Sequence, residues 1–290
     1  MTDPAHPDAT TPPIPDGLKE LLMGPAGTGK TSSIGTLVDT GIEVFYLALE
    51  PGMESLQGYY RDKGREMPSN LHFHRVAAPS ASISEMMASA KMVNTLSYEA
   101  LCKVTDPNRG KYNQFYGILE SLNNFKDDRT GEAFGPVDSW GSDRVLVIDS
   151  LSGLSRASLN AVVGGRPTAS QPDWGIAMTQ VERLITMLCE GCKCHFVLLA
   201  HVEREVDEVQ GGVKIMVSTL GKKLAPKFPQ LFSDVIMATR QGEKWFWDTA
   251  NSMADVKFRY LPLASNNPPD FAPILEKWKK RWGLLQPTGK

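Results

Sequence analysis

Gly24-Pro25-Ala26-Gly27-Thr28-Gly29-Lys30-Thr31 satisfies the pattern G-x-x-x-x-G-K-[ST]. The apolar run Leu21-Leu22-Met23 before it reads as the end of a strand, and Thr31 to Val38 as the first turns of a helix. Strand, loop and helix in that order are the context the pattern requires. Gly24, Gly27 and Gly29 let the backbone turn tightly, so that several N–H groups aim at one phosphate. The helix N-terminus adds the positive end of its dipole. Lys30 supplies a point charge for β- and γ-phosphates, and the Thr31 hydroxyl is placed for Mg²⁺. The expected contacts to ATP are Gly24, Pro25, Ala26, Gly27, Thr28, Gly29, Lys30, Thr31 and Ser32. An ordinary Gly-rich turn is the bland alternative, but every fixed position of the motif is filled.

The 290 residues suffice for one large α/β domain or two small ones. Hydrophobic content of 41% and charged content of 22% are ordinary for a globular protein. With a net charge of −2 there is no global basic field, so any DNA contact must use local patches. No apolar run of about 20 residues suggests a membrane span. Residues 1–16 hold five prolines and no apolar signal core, and read as a disordered tail. Four cysteines without an export signal fit reduced thiols in a cytoplasm.

Beyond the loop helix, Glu43-Val44-Phe45-Tyr46-Leu47-Ala48-Leu49 is short and nearly all apolar, as a strand buried on both faces of a parallel sheet must be. It ends at Glu50, where open α/β sheets bind ligands. Ser55–Lys63 reads as helix and Leu71–Val76 as strand. Ser84–Cys102 has helical apolar spacing through Met86, Met87, Ala90, Val93 and Leu101, and Tyr112–Phe125 is a second helix candidate. Asp127–Asp143 reads as a loop or short hairpin.

Arg144-Val145-Leu146-Val147-Ile148-Asp149 is a buried strand ending in Asp, the form of a Walker B strand whose carboxylate serves Mg²⁺. Residues 151–163 read as helix, 164–174 as loop and 176–190 as helix. Cys194–Ala200 reads as a buried strand ending at His201. Gly211-Gly212 between two β-prone runs suggests a mobile hairpin over 203–218. Leu220–Phe232 reads as partly helical, and 234–240 with 244–248 as a strand pair. Phe271, Ile274, Leu275, Trp278 and Trp282 form a helical stripe. The domain plan is a tail (1–16), an ATPase domain (17–262, with 80–143 as an elaboration) and a linker with an amphipathic helix (263–290).

AAA+ ATPases end the Walker B strand in Asp-Glu, whereas Asp149 is followed by Ser150, so the catalytic carboxylate lies elsewhere. A kinase would need a lid, and no Arg-rich lid is visible. The combination of Gly24–Thr31, Glu50, Asp149-Ser150 and His201 resembles the RecA superfamily. It is closest in form to the core-only RecA-like ATPases of bacteriophages, several of which anneal or recombine single strands. RecA itself carries Gln where His201 stands, while His occurs in those phage relatives. The resemblance covers about residues 17–262. It implies a mostly parallel central sheet flanked by helices, Mg²⁺-dependent ATP hydrolysis, and a homo-oligomeric ring or filament. It further implies action on single-stranded DNA in the cytoplasm, a host's if the chain is phage-encoded. The amphipathic C-terminal helix would dock on a neighbour or on a partner such as a single-strand binding protein, or else pack on the chain's own core.

The same resemblance assigns roles. Lys30 and the loop hold the phosphates, and Thr31 and Asp149 organise Mg²⁺. Glu50 activates water, and His201 senses the γ-phosphate and relays it to 203–218. Lys257 and Arg259 reach the ATP of a neighbouring protomer, or else form a basic pair on a solvated strand. The DNA loops correspond to 164–174, with Arg166, and 203–218, with Lys214, followed by Lys222, Lys223 and Lys227. Glu203, Glu205, Asp207 and Glu208 would repel a DNA backbone there. Trp174 would stack on a base or pack in the core. Cys189, Cys192, Cys194 and His195 cluster, but no second ligand pair lies near, which favours packing over zinc. Two further function classes stand beside the DNA ATPase: a nucleotide-switched loader acting on a protein partner, and a clock-type regulator.

Overall fold

The computed structural model describes residues 16–104, 109–206, 211–221 and 224–284. Residues 1–15 of the tail expected over 1–16, the tip of the hairpin over 207–210, and Lys222 and Lys223 lie outside the described residues.

Seven strands form one sheet in the order β3-β2-β4-β5-β1-β8-β9. They are β1 (Lys19–Met23), β2 (Glu43–Ala48), β3 (Leu71–Arg75), β4 (Arg144–Asp149), β5 (His195–Ala200), β8 (Asp234–Gln241) and β9 (Lys244–Asp248). All neighbours run parallel except β9, which returns antiparallel along β8. The remaining strands, β6 (Val202–Val206) and β7 (Val213–Val217), form a separate antiparallel hairpin. This is the mostly parallel, helix-flanked sheet of a RecA-like P-loop core.

Side chains alternate across the sheet because strand residues point to opposite faces. Leu21, Phe45, Leu47, Leu146, Ile148 and Phe196 face one side. There they pack on α5 (Gln114–Asn123), α6 (Leu151–Val163) and α7 (Gln171–Thr186). Leu22, Val44, Tyr46, Val145, Val147 and Val197 face the other side. That face is covered by α1 (Lys30–Val38), α2 (Met53–Arg61) and α9 (Ala272–Arg281). The stripe Phe271, Ile274, Leu275 and Trp278 of α9 is buried in the chain's own core, while Trp282 stays half exposed.

Three expectations need correction. The helix over 84–102 is two helices, α3 (Ile83–Thr95) and α4 (Tyr98–Cys102). Ser97 is extended and accepts the Ala100 N–H, so it caps a new helix. The stripe Met86, Met87 and Val93 is exposed, and among the described residues α3 buries none of its side chains. The loop over 164–174 is shorter, since α7 already begins at Gln171. Ser170 and Asp173 form a capping box with Pro172 in the first turn, so Trp174 sits on the helix, partly exposed. The helix over 176–190 leaves α geometry at Thr186 and ends in a π-turn over Met187–Gly191. The last short helix, α8 (Phe228–Leu231), leads into β8. Among the described residues no helix is long and apolar enough to cross a membrane.

Candidate functional site

Parallel packing brings the C-terminal tips of β1, β2, β4 and β5 to one edge. Each tip delivers a residue named from sequence. The loop after β1 closes onto α1, and Gly27 and Gly29 adopt φ +74° and +75°, which side chains rarely tolerate. Lys30 donates to the carbonyls of Gly24 and Pro25, each at 2.8 Å. Its pKa is lowered to about 8 by burial, against the pull of Asp149 and Glu50. A phosphate oxygen entering the loop would take over these donors.

Thr31 Oγ1 donates to Asp149 Oδ2 at 2.7 Å, and Tyr46 OH donates to the same oxygen at 2.5 Å. Burial and Asp149 together push the Tyr46 hydroxyl well above its ordinary pKa, so it stays a donor. A hydroxyl and a carboxylate side by side are the hard oxygen ligands Mg²⁺ takes beside substrate phosphates, so the residues fit this ion.

Glu50 is held on both oxygens. Ser150 Oγ donates to Oε2 at 2.6 Å, and Arg156 on α6 donates to Oε1 at 2.5 Å. His201 Nε2 lies 3.8 Å from Oε2. Burial, then Lys30, holds the His201 pKa below its ordinary value, so the ring is neutral near pH 7. Lys30, Thr31, Glu50, Asp149 and His201 line one open cavity of about 550 Å³. His201 also anchors the hairpin: β6 starts at the next residue, and the Ser218 N–H after β7 donates to the His201 carbonyl at 2.8 Å.

The remaining sequence-named residues lie elsewhere. Arg166 is tied to the Val163 carbonyl at 2.9 Å and to Asp173 at 2.9 Å. Lys214 pairs with Asp255 at 3.1 Å, and Lys227 with Glu182 at 2.7 Å. Val162 of α6, Ala177 of α7 and Leu220, which follows the hairpin, pack together in a small core of their own. Lys257 bridges Val235 near the start of β8, and the Arg259 N–H donates to Asp234. Both lie toward the opposite end of the sheet from the phosphate loop, so neither reaches the cavity of its own chain. His195 does not present a free ligand face. Its Nδ1 accepts the Leu18 N–H at 2.9 Å, and Nε2 meets the Ser142 carbonyl at 3.0 Å.

Tyr46, Ser150 and Arg156, which hold the carboxylates of the site, and Trp245, which lines the cavity, were not named as site residues from the sequence. Tyr46 carried a signal, because a hydroxyl in an otherwise apolar buried strand needs a partner. Ser150 was noted only as the residue after Asp149. Arg156 and Trp245 had no local signal, as helix packing and strand pairing bring them in from distant positions.

Residues 16–261 match a family model described as an AAA domain. No curated protein matches the chain. Three solved structures are similar at low identity. The flagellar accessory protein FlaH from Methanocaldococcus jannaschii is 11% identical over 81% of this chain and 78% of its own, with a TM-score of 0.34. The RadB recombinase is 12% identical over 84% and 93%, with a TM-score of 0.35. An ATPase from the type III secretion system of pathogenic bacteria is 12% identical over 78% and 53%, with a TM-score of 0.34. The sheet order, the phosphate loop and the family match carry the assignment without them. With 246 consecutive residues matched (16 through 261), the chain belongs to the AAA domain family, built on a RecA-like P-loop ATPase core.

Proposed function

We propose that the protein hydrolyses ATP with Mg²⁺ and couples turnover to a grip on single-stranded DNA, as an annealing or recombination ATPase. One observation carries this reading. The residue suited to report the γ-phosphate, His201, is also the root of the β6–β7 hairpin.

Lys30 and the loop amides bind the β- and γ-phosphates. Thr31 and Asp149 would hold Mg²⁺, which when bound would supply positive charge against the phosphates. Tyr46 keeps Asp149 oriented through its hydroxyl. Glu50 accepts a proton from the attacking water, and Ser150 and Arg156 fix its carboxylate. His201 reads the γ-phosphate beside Glu50, and its loss loosens the hairpin, a switch of the order–disorder type. DNA phosphates engage Arg166 and Lys214 by displacing Asp173 and Asp255 from them. Lys257 and Arg259 serve the ATP of a neighbouring protomer in a ring or filament, in the cytoplasm.

The second reading, a nucleotide-switched loader acting on a protein, draws on helix α3. Ile83, Met86, Met87 and Val93 face solvent there. Such exposed apolar surface marks sites of protein contact.

Steady-state hydrolysis with and without single-stranded DNA tests the proposal, with Lys30→Ala as the blank. Several-fold stimulation, absent in the blank, is expected. Turnover indifferent to DNA, with no DNA retained in ATP at low salt, would overturn the DNA reading.

A further inference from the structure

The catalytic edge of the cavity is one-sided. Glu50, Asp149 and His201 follow the tips of β2, β4 and β5, all on one flank of β1. A γ-phosphate directed at Glu50 therefore sends the rest of the nucleotide toward the other flank, where β8 and β9 stand. Trp245 lies on that flank, paired with Arg240 across the β8–β9 turn. It lines the same cavity as Lys30.

The indole closes on the loop at Gly29. A Cβ placed on Gly29 would come within 2.6 Å of Trp245 Cδ2 and 2.7 Å of Cε3. Gly29 is thus required twice, once for its positive φ and once for the ring that rests on it. Trp245 is nonetheless 42% exposed, and among the described residues it has no ring-stacking or cation partner. The cavity's remaining aromatic ring, Tyr59, is already engaged. Its hydroxyl donates to Asp39 at 2.5 Å, and the Lys63 ammonium sits 3.7 Å over the ring. Its edge also closes on Gly35, where a Cβ would meet ring carbons at 2.2 Å.

We infer that Trp245 is the platform on which the base of the bound nucleotide stacks. The inference rests on the nucleotide-site reading above and adds the subsite for the base. An indole face recognises the π-surface of a base rather than its hydrogen-bonding edge. It therefore accepts either purine, and its contribution belongs to the nucleoside half of the ligand and not to the phosphates.

The test compares Mg-ATP with Mg-tripolyphosphate by calorimetry on the full chain, as wild type, Trp245→Ala and Trp245→Phe. Wild type is expected to bind ATP at least about 10-fold tighter than tripolyphosphate. Trp245→Ala should lose that advantage, roughly 10- to 100-fold in ATP affinity. Its tripolyphosphate affinity should stay unchanged, which also shows that the loop is intact. Trp245→Phe should keep most of the advantage. ATP binding undiminished in Trp245→Ala would overturn the inference. So would equal loss of both ligands in both variants, which would make the indole a prop for Gly29. Failure of wild type to bind either ligand would overturn the nucleotide-site reading itself.

Discussion

Lys30 shows how one buried side chain sets a pH dependence. Burial lowers its pKa to about 8, from an ordinary value of 10.5. Nucleotide binding needs the ammonium, so above pH 8 the free protein must take up a proton in order to bind. The ATP dissociation constant should therefore rise with pH beyond 8, by up to about tenfold per unit. Calorimetry between pH 7 and 9.5 measures this, and a flat profile would contradict it. Lys30, Thr31 and Asp149 were legible in the sequence because their motifs are local. Glu50 and His201 were legible only as strand tips within a P-loop chain. Arg156 and Trp245 were not, because nothing in their own neighbourhoods distinguishes a site residue from a surface one.

The first turn of α7 is the element where capping and the candidate DNA cation meet. The Asp173 carboxylate accepts from the Ser170 N–H and hydroxyl, each at 2.7 Å, and pairs with Arg166. These bonds, led by the Ser170 hydroxyl, pull its pKa down to about 2. Asp173→Ala should lower stability by about 1 kcal/mol at pH 7 through loss of the cap. In the same variant Arg166 loses its carboxylate, so retention on single-stranded DNA should rise at low salt. Urea unfolding and a filter-binding assay measure the two effects, and unchanged stability would contradict the capping account. Strands were the most legible elements, since β2, β4 and β5 are short apolar runs with a polar end. Helix α3 was legible as a helix but not in its placement. Its period shows an apolar face, yet only the fold shows that among the described residues none of that face is buried.

Across the whole molecule, His195 couples folding to acid. It lies between the first strand and the Ser142 carbonyl, edge-on to Trp278 with ring centroids 4.6 Å apart. Burial drops its pKa to about 3, from an ordinary 6.5. Between these values the unfolded chain binds a proton that the folded one refuses. Stability should thus fall as pH drops from 6.5, by up to ~1.4 kcal/mol per unit from this residue. Urea midpoints at pH 7, 6 and 5 should show the decline, and His195→Gln should flatten it. The sequence placed His195 in a cysteine-rich cluster. Its partner at Leu18 is remote in the chain, so its part in closing the sheet was invisible there.

The account turns on Glu50 acting on water while Lys30 holds the phosphates. Its most direct test is single-turnover ATP hydrolysis by Glu50→Gln beside wild type, with ATP affinity measured on the same samples. The account predicts near-wild-type ATP binding with hydrolysis reduced at least about 100-fold, the scale of a lost general base. Hydrolysis within a few-fold of wild type at saturating Mg-ATP would contradict it.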